Sequence, residues 1–451
     1  LREYSKIYKL ESGLRSVEQP RNSPGLTELY NLRVRGQRLV SIDPILNPIT
    51  DPGGLVWPIT VDWPFPQMFC LTNRNYLCTR LGIYTLNTSW EPTLGVGVDL
   101  HDGIWDVADF QTYVVFTNGA QVYVTNPITG EVHPDATGLL PVMGTLCNYK
   151  GQLVAGRVTG YPTNAVVWGR IGQADLVVSE TAPTTGWAPM PWAGSVHMVR
   201  RLGDYVVAYG AGGSAVLQAV GEPITTMRLK ELMPFGIAGR GAVGGDLHEH
   251  LILDEAGCLW QMKEDLTLKE LGYREFFGPL LGDEIMISFD PELHYYYIAS
   301  DTAGYVLTPE GLSRTYQKVI SCAHYGGTVI GTFSPASDVS MYLTTDIMDF
   351  ELGGEKTIQG IEVRGKGASM SVSYGLCRTM DPALFSYSPT SKLNTLGQSS
   401  LKARASDFKI RVSGTSYLAK ELDYLNIHYK TDDKRMLRSI YARQITPGTD
   451  R

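Results

Sequence analysis

His248-Glu249-His250 is the most metal-like cluster in the chain. On a strand, alternation sends both imidazoles to one side, as a two-histidine ligand pair requires, and Asp246 falls on the same face. A third ligand is not evident nearby, so hydrogen-bonded surface histidines account for the pattern. Gly353-Gly-Glu-Lys-Thr357 hints at a phosphate loop but lacks a glycine directly before its lysine and another further upstream. Gly210-Ala-Gly-Gly213 leads into a strand, so it has no helix N-terminus to hold a phosphate. The run Tyr295-Tyr-Tyr297 can offer a stacking platform for a sugar or a single strand. Alternation turns Tyr296 away from the other two, and aromatic packing between neighbouring sheets explains the run. Motifs of the GxSxG, HExxH and EF-hand types are absent, and local spacing brings no two carboxylates together. The expectation is a non-enzymatic chain with no catalytic residue, no metal and no cofactor.

These residues sit on, or between, copies of one element, a two-strand hairpin that recurs about seven times from residue 67 to residue 345. Met68–Leu71 with Tyr76–Thr79, Tyr113–Phe116 with Gln121–Val124, Gln152–Ala155 with Ala165–Trp168, and Tyr205–Tyr209 with Ala215–Gln218 open the series. His250–Leu253 with Cys258–Gln261, Tyr295–Ala299 with Tyr305–Leu307, and Thr328–Thr332 with Val339–Leu343 complete it. The first strands start about 33 to 53 residues apart, which suits one four-stranded propeller blade of about 40 to 50 residues. Turns such as Asn118-Gly119 and Asp301-Thr-Ala-Gly304 carry residues that tolerate positive φ. Further short strands, among them Ile104–Val107, Val196–Val199, Glu284–Ser288 and Val319–Ala323, bring each unit to three or four strands. One unit cannot bury both faces, so the units must stack, and a closed ring protects their edges. The fold class is all-β, a β-propeller of about six or seven blades. The segment with Pro183, Trp187, Pro189, Pro191 and Trp192 reads as a loop inserted on one rim.

Asp254-Glu-Ala-Gly-Cys-Leu-Trp260 resembles the Asp-box hairpin of sialidase-type propellers, in which an Asp caps the turn and a Trp packs below it; Ser300-Asp301-Thr-Ala-Gly304 is a partial second match. In those enzymes the box is structural. A sialidase also needs an arginine cluster for the carboxylate and a Tyr nucleophile with a Glu partner, and Arg200-Arg201 with the scattered tyrosines do not form that set from sequence.

Composition bounds the rest. The chain has 451 residues, 43% hydrophobic and 19% charged, with 48 Gly, 25 Pro and 25 Tyr, a mixture that favours short strands joined by tight turns. A net charge of −7 and a pI of about 5.7 leave no global footprint for nucleic acid. Arg33, Arg35 and Arg38, and Lys430, Lys434, Arg435 and Arg438, form two basic clusters that read as solvated faces or subunit contacts. The six cysteines (70, 78, 147, 258, 322 and 377) contain no CxxC, and the pattern predicts buried free thiols of a reducing compartment. Pairing about Asn73-Arg74 places Cys70 opposite Leu77, so no disulfide with Cys78 is expected. No stretch approaches the roughly 20 apolar residues of a membrane span. The polar start Leu-Arg-Glu-Tyr-Ser-Lys lacks a signal-peptide core, and a start at Leu1 leads one to expect something trimmed or missing upstream.

Residues 1–60 read as an extended arm with short strands at Leu29–Val34 and Arg38–Ile42, broken by prolines. Residues 61–350 form the propeller. In residues 351–440 period-two alternation, as in Phe408, Ile410 and Val412 or Leu425, Ile427 and Tyr429, marks an antiparallel β-sandwich-like region or an elaborated last blade. Residues 441–451 are a tail.

Two stretches, Asn22-Ser-Pro-Gly-Leu-Thr-Glu-Leu-Tyr-Asn-Leu-Arg-Val-Arg35 and Glu421-Leu-Asp-Tyr-Leu-Asn-Ile-His-Tyr-Lys430 followed by Asp433-Lys-Arg-Met-Leu-Arg438, carry a family resemblance. With the blade-like middle, the chain resembles the tail nozzle or tail hub (packaged-DNA stabilisation) proteins of short-tailed bacteriophages. The resemblance implies a structural virion protein, assembled in the host cytoplasm as a homohexameric tube below the portal and adaptor proteins. Such a tube retains DNA and conducts it without sequence-specific binding during ejection. Tail fibres, spikes or a plug protein dock on it, and no membrane insertion is implied. An acidic wall suits a conduit through which DNA must slide. Two other readings stand beside it, a carbohydrate-active, sialidase-like propeller and a cellular propeller that serves as a protein-interaction platform.

Overall fold

A computed structural model describes residues 3–15, 25–42, 61–71, 74–88, 90–179, 184–221, 226–325, 328–335, 340–348, 355–366, 369–377, 385–400, 402–416 and 420–431. The chain divides into two compact units that are each discontinuous in sequence, Pro44–Gly304 with Gln317–Pro335, and Leu1–Asp43 with Tyr305–Tyr316 and Ala336–Arg451.

The first unit is the propeller. Short runs of Val, Ile, Tyr and Leu fit a pleated surface buried on both faces, and the turns between them end each strand after three to nine residues. Five antiparallel four-stranded sheets follow one another in chain order. The first holds Gln67–Cys70, Asn75–Cys78, Gly82–Leu86 and Pro92–Gly97, and the second starts at Asp106–Asp109. Thr145–Tyr149, Val196–Leu202 and Val243–Gly245 are the inner strands of the third, fourth and fifth. The sixth repeat contributes Met286–Asp290 paired with Tyr295–Ala299, and the seventh contributes Gln317–Tyr325 paired with Thr328–Pro335.

Consecutive sheets bury their faces against one another. Tyr76, Cys78 and Ile83 of the first pack with Val114, Phe116 and Tyr123 of the second, and Val154, Val166 and Trp168 of the third with Val199, Val206 and Leu217 of the fourth. Full burial of each such side chain is worth about 1.5–3 kcal/mol. The ring closes between the last repeat and the first. The strand Gln317–Tyr325 lies beside Gln67–Cys70, Met68 N donates to Ser321 Oγ at 2.7 Å, and Thr332 Oγ1 donates to Pro66 O at 2.7 Å.

Several expectations change in detail. The seventh hairpin is not Thr328–Thr332 with Val339–Leu343. Thr328–Pro335 pairs backward with Gln317–Tyr325, while Met341–Thr345 joins Leu26–Tyr30 and Asp407–Gly414 in the second unit. In the first hairpin Cys70 faces Asn75 and Cys78 faces Gln67, two residues away from the register that a turn about Asn73-Arg74 implies. Leu71 N donates to Arg74 O, so the turn is tighter. Both cysteines are free; Cys70 is exposed, whereas Cys78, Cys147 and Cys258 are buried. The Trp187 segment is more than a rim loop. Gly186–Pro189 is the outer strand of the third sheet, paired with Ala165–Trp168, and a Cβ at Gly210 would stand 2.2 Å from Trp192 Nε1. Pro183 and residues 43–60, including the prolines of the arm, lie outside the described residues.

The second unit gathers strands from both ends of the chain into two sheets. Glu421–Thr431 is flanked by Lys356–Lys366 on one side and by Glu3–Lys9 and Leu39–Ser41 on the other. In the other sheet Asp407–Gly414 buries every second residue, with Phe408, Ile410 and Val412 inward. Each sheet thus turns one apolar face inward, the sandwich-like pattern that alternation predicts. Arg33 is buried on the strand Leu32–Val34, whereas Arg35 and Arg38 are exposed, so the three do not share a solvated face. Lys434, Arg435, Arg438 and the tail lie outside the described residues.

Candidate functional site

The inner strands of the propeller surround a central cavity of about 460 Å³. Met68, Ile104, Met198, Met286 and Ile320 give it an apolar wall, and Arg200, Asp246 and His250 bring polar groups to it. Where the inner strands begin, Trp63 packs on Ile104, Met286 and Ile320 and donates its indole N–H to Glu284 O at 3.0 Å.

One buried carboxylate organises this wall. Asp106 receives Arg200 Nη1 on Oδ1 at 2.6 Å, and Thr145 Oγ1 at 2.6 Å and Leu146 N at 3.0 Å on Oδ2. Thr145 Oγ1 in turn accepts Val199 N at 3.0 Å. The second, third and fourth inner strands are therefore tied through a single Asp, because a carboxylate can accept on several lone pairs at once.

The histidines part company. The fifth sheet's second strand begins at Glu249, so His248 lies in the preceding turn, exposed, with Nδ1 2.9 Å from Glu264 Oε2; that ion pair raises its pKa. His250 is buried, contrary to a surface role. Its Nε2 must donate to Arg201 O at 3.1 Å, since a carbonyl only accepts, which leaves Nδ1 to accept from Tyr209 Oη at 2.7 Å. Burial, then the nearby Arg200 charge, pulls the His250 pKa down to about 4. The pair does not form a ligand set.

The Asp254 turn has the geometry its sequence suggests. Oδ1 accepts Ala256 N at 2.9 Å and Cys258 N at 2.8 Å, Oδ2 accepts Trp260 Nε1 at 2.8 Å, and Trp260 stacks on Phe235. Ser300, rather than Asp301, caps the partial copy through Thr302 N and Ala303 N. Tyr295, Tyr296 and Tyr297 are all buried, and Tyr296 Oη donates to Glu249 Oε1 at 2.8 Å across neighbouring sheets. Burial first, then that carboxylate, pushes the Tyr296 phenol up. Of the phosphate-loop candidate, Gly353 and Gly354 lie outside the described residues, and Lys356 is a buried strand residue whose Nζ donates to Ser406 O at 2.8 Å.

Sequence reading missed two arginines. Arg157 follows the third sheet's second strand, Arg240 precedes the fifth inner strand, and both reach the same side of Gly119. Their only local signal is the adjoining glycines, Gly156 and Gly239-Arg240-Gly241, which spacing does not connect. Arg240 stands before the fifth inner strand, whereas Glu249 follows the turn beyond its far end. The arginines and the Tyr296–Glu249 pair therefore do not converge.

Five stacked four-stranded sheets with further pairs closing the ring define the class of protein, a β-propeller. No family model matches the chain, and no curated protein matches it. Among solved structures it is similar to the Neurospora crassa Pan2 WD40 domain (8% identity over 64% of this chain and 89% of that one, TM-score 0.39). It is also similar to Kluyveromyces lactis Hsv2 (12%, 59% and 84%, 0.34) and to PorZ, a bacterial surface component of the type-IX secretion system of Porphyromonas gingivalis (10%, 62% and 35%, 0.34). No described helix is long and apolar enough to cross a membrane.

Proposed function

We propose that this propeller is a structural protein of a phage tail. It assembles as a homohexameric nozzle or hub below the portal and adaptor, retains packaged DNA, conducts it during ejection, and offers its outer surface to fibres, spikes or a plug. The observation that carries this reading is that the described parts of the two stretches bearing the family resemblance, residues 25–35 and 421–430, fold into one unit. Leu32–Val34 pairs with Leu39–Ser41, which pairs with Glu421 and Leu422 of the strand Glu421–Thr431. A resemblance spread over distant parts of the sequence thus belongs to one folded unit distinct from the propeller, and it is this unit that makes the subunit contacts. The separation of the arginine pair from Tyr296–Glu249 weighs against the sialidase-like reading. Native mass measurement and negative-stain imaging of the purified chain test the proposal. Sixfold rings, alone or on a portal–adaptor complex, are expected. A strict monomer that binds no such complex, or hydrolysis of a sialoside, would sink it.

A further inference from the structure

Among the described residues Arg157 and Arg240 are two neighbouring cations that no carboxylate pairs directly. Arg157 takes a left-handed backbone at φ 51°, which side-chain-bearing residues adopt rarely and at a cost of about 1–3 kcal/mol. This directs its side chain across Gly144, where a Cβ would stand 2.1 Å from Arg157 Nε. Arg240 donates through Nη2 to Gly144 O. The position a Cβ would occupy on Gly119 is 3.4 Å from Arg240 Nη1 and 3.5 Å from Arg157 Nη2, so both forks reach one small space that the glycine leaves open. Among the described residues neither guanidinium makes an ion pair; Asp106, which pairs with Arg200, and Glu284 both act on Arg240, but only from beyond ion-pair distance.

Donors around the space are also unsatisfied. Arg157 Nε, His197 Nδ1 and Asn118 Nδ2 are buried without hydrogen-bond partners, and Asn118 itself is 2% exposed. Burial, then the Arg157 and Arg240 charges, holds the His197 pKa down, so its ring stays neutral and can donate one N–H. Burial and the Arg157 charge pull Arg240 down to about 10. Half-buried like charges repel and leave desolvated donors unpaired, which costs free energy unless an anion joins them.

We propose that Arg157 and Arg240, with Asn118 and His197, form an oxyanion site on the face of the ring where the inner strands begin, fitted to a doubly charged group such as phosphate or sulfate. Two guanidinium forks supply charge and directional donors suited to such a group, and a monoanion neutralises only half of their charge. The site lies within the propeller and stands whether or not the chain is a tail protein.

Calorimetric titration and thermal melts of the full chain with inorganic phosphate, sulfate and acetate, each against sodium chloride of equal ionic strength, test it. Phosphate and sulfate should bind saturably and raise the melting temperature, acetate much less. Arg157→Gln should weaken phosphate by at least about tenfold while melting no lower than wild type in chloride, since it removes repulsion. Asn118→Asp keeps the turn acceptor that now serves Ala120 N and Gln121 N and supplies an internal anion. It should abolish the phosphate response even if Arg157→Gln fails to fold. A wild type with no saturable response to phosphate or sulfate, or variants that retain wild-type affinity, would overturn the site.

Discussion

His250 couples folding to pH in a direction its environment dictates. Its pKa is about 4 in the folded chain against roughly 6.5 unfolded, so the unfolded chain binds the extra proton as pH falls. The stability that depends on neutral His250 is complete above pH ~6.5 and is lost as pH drops towards ~4, about 2 kcal/mol by pH 5. Urea unfolding at pH 7 and pH 5 should show that loss in wild type and much less of it in His250→Gln. Asp106 is the other decisive residue. Asp106→Ala leaves the Arg200 charge and the Thr145 and Leu146 donors without their acceptor, and should cost about 3–5 kcal/mol in the same measurement. The sequence reading noticed His250 for its spacing and passed over Asp106, Arg157 and Arg240. Each of these acts through residues some forty to a hundred positions away, as in Asp106 with Arg200, and no local period encodes such a meeting.

Hairpins were the most legible elements because their information is local. Asp254 shows it best, since the Asp, the glycine and the Trp all lie within seven residues and the turn needs nothing else. Asp254→Ala removes three acceptor bonds and should destabilise by about 2–3 kcal/mol. Asp254→Asn keeps the backbone caps and should cost about 1 kcal/mol, and a red-shifted Trp emission would report the freed Trp260. Where partners were chosen by more than the turn, the reading slipped. Thr328–Pro335 and Met341–Thr345 are adjacent and both apolar, yet ring closure through Ser321 and Thr332 claims the first and the sheet with Leu26–Tyr30 claims the second. Period and composition are alike in the two strands, so nothing local told them apart.

If the second unit carries the proposed subunit contacts, its edge offers a direct test. Glu3–Lys9 pairs along its whole length with Glu421–Thr431, and among the described residues its other edge meets no strand. Tyr4 and Ile7 are exposed there, Ile7 at 57%, while Lys6 and Lys9 along the same strand discourage indiscriminate pairing, as charges on open edges do. If rings form through this module, deleting residues 1–9 should convert sixfold particles to monomers in native mass measurements. The β-rich circular dichroism should persist, because among the described residues no propeller hairpin pairs with a strand in that segment. Replacing Tyr4 and Ile7 by Ser, which keeps the backbone ladder, should weaken the rings by a smaller step if side-chain burial contributes beside strand pairing. Rings that survive both changes would move the subunit contact away from this edge, and a loss of β signal would mean that Glu3–Lys9 supports the sheet itself rather than the assembly.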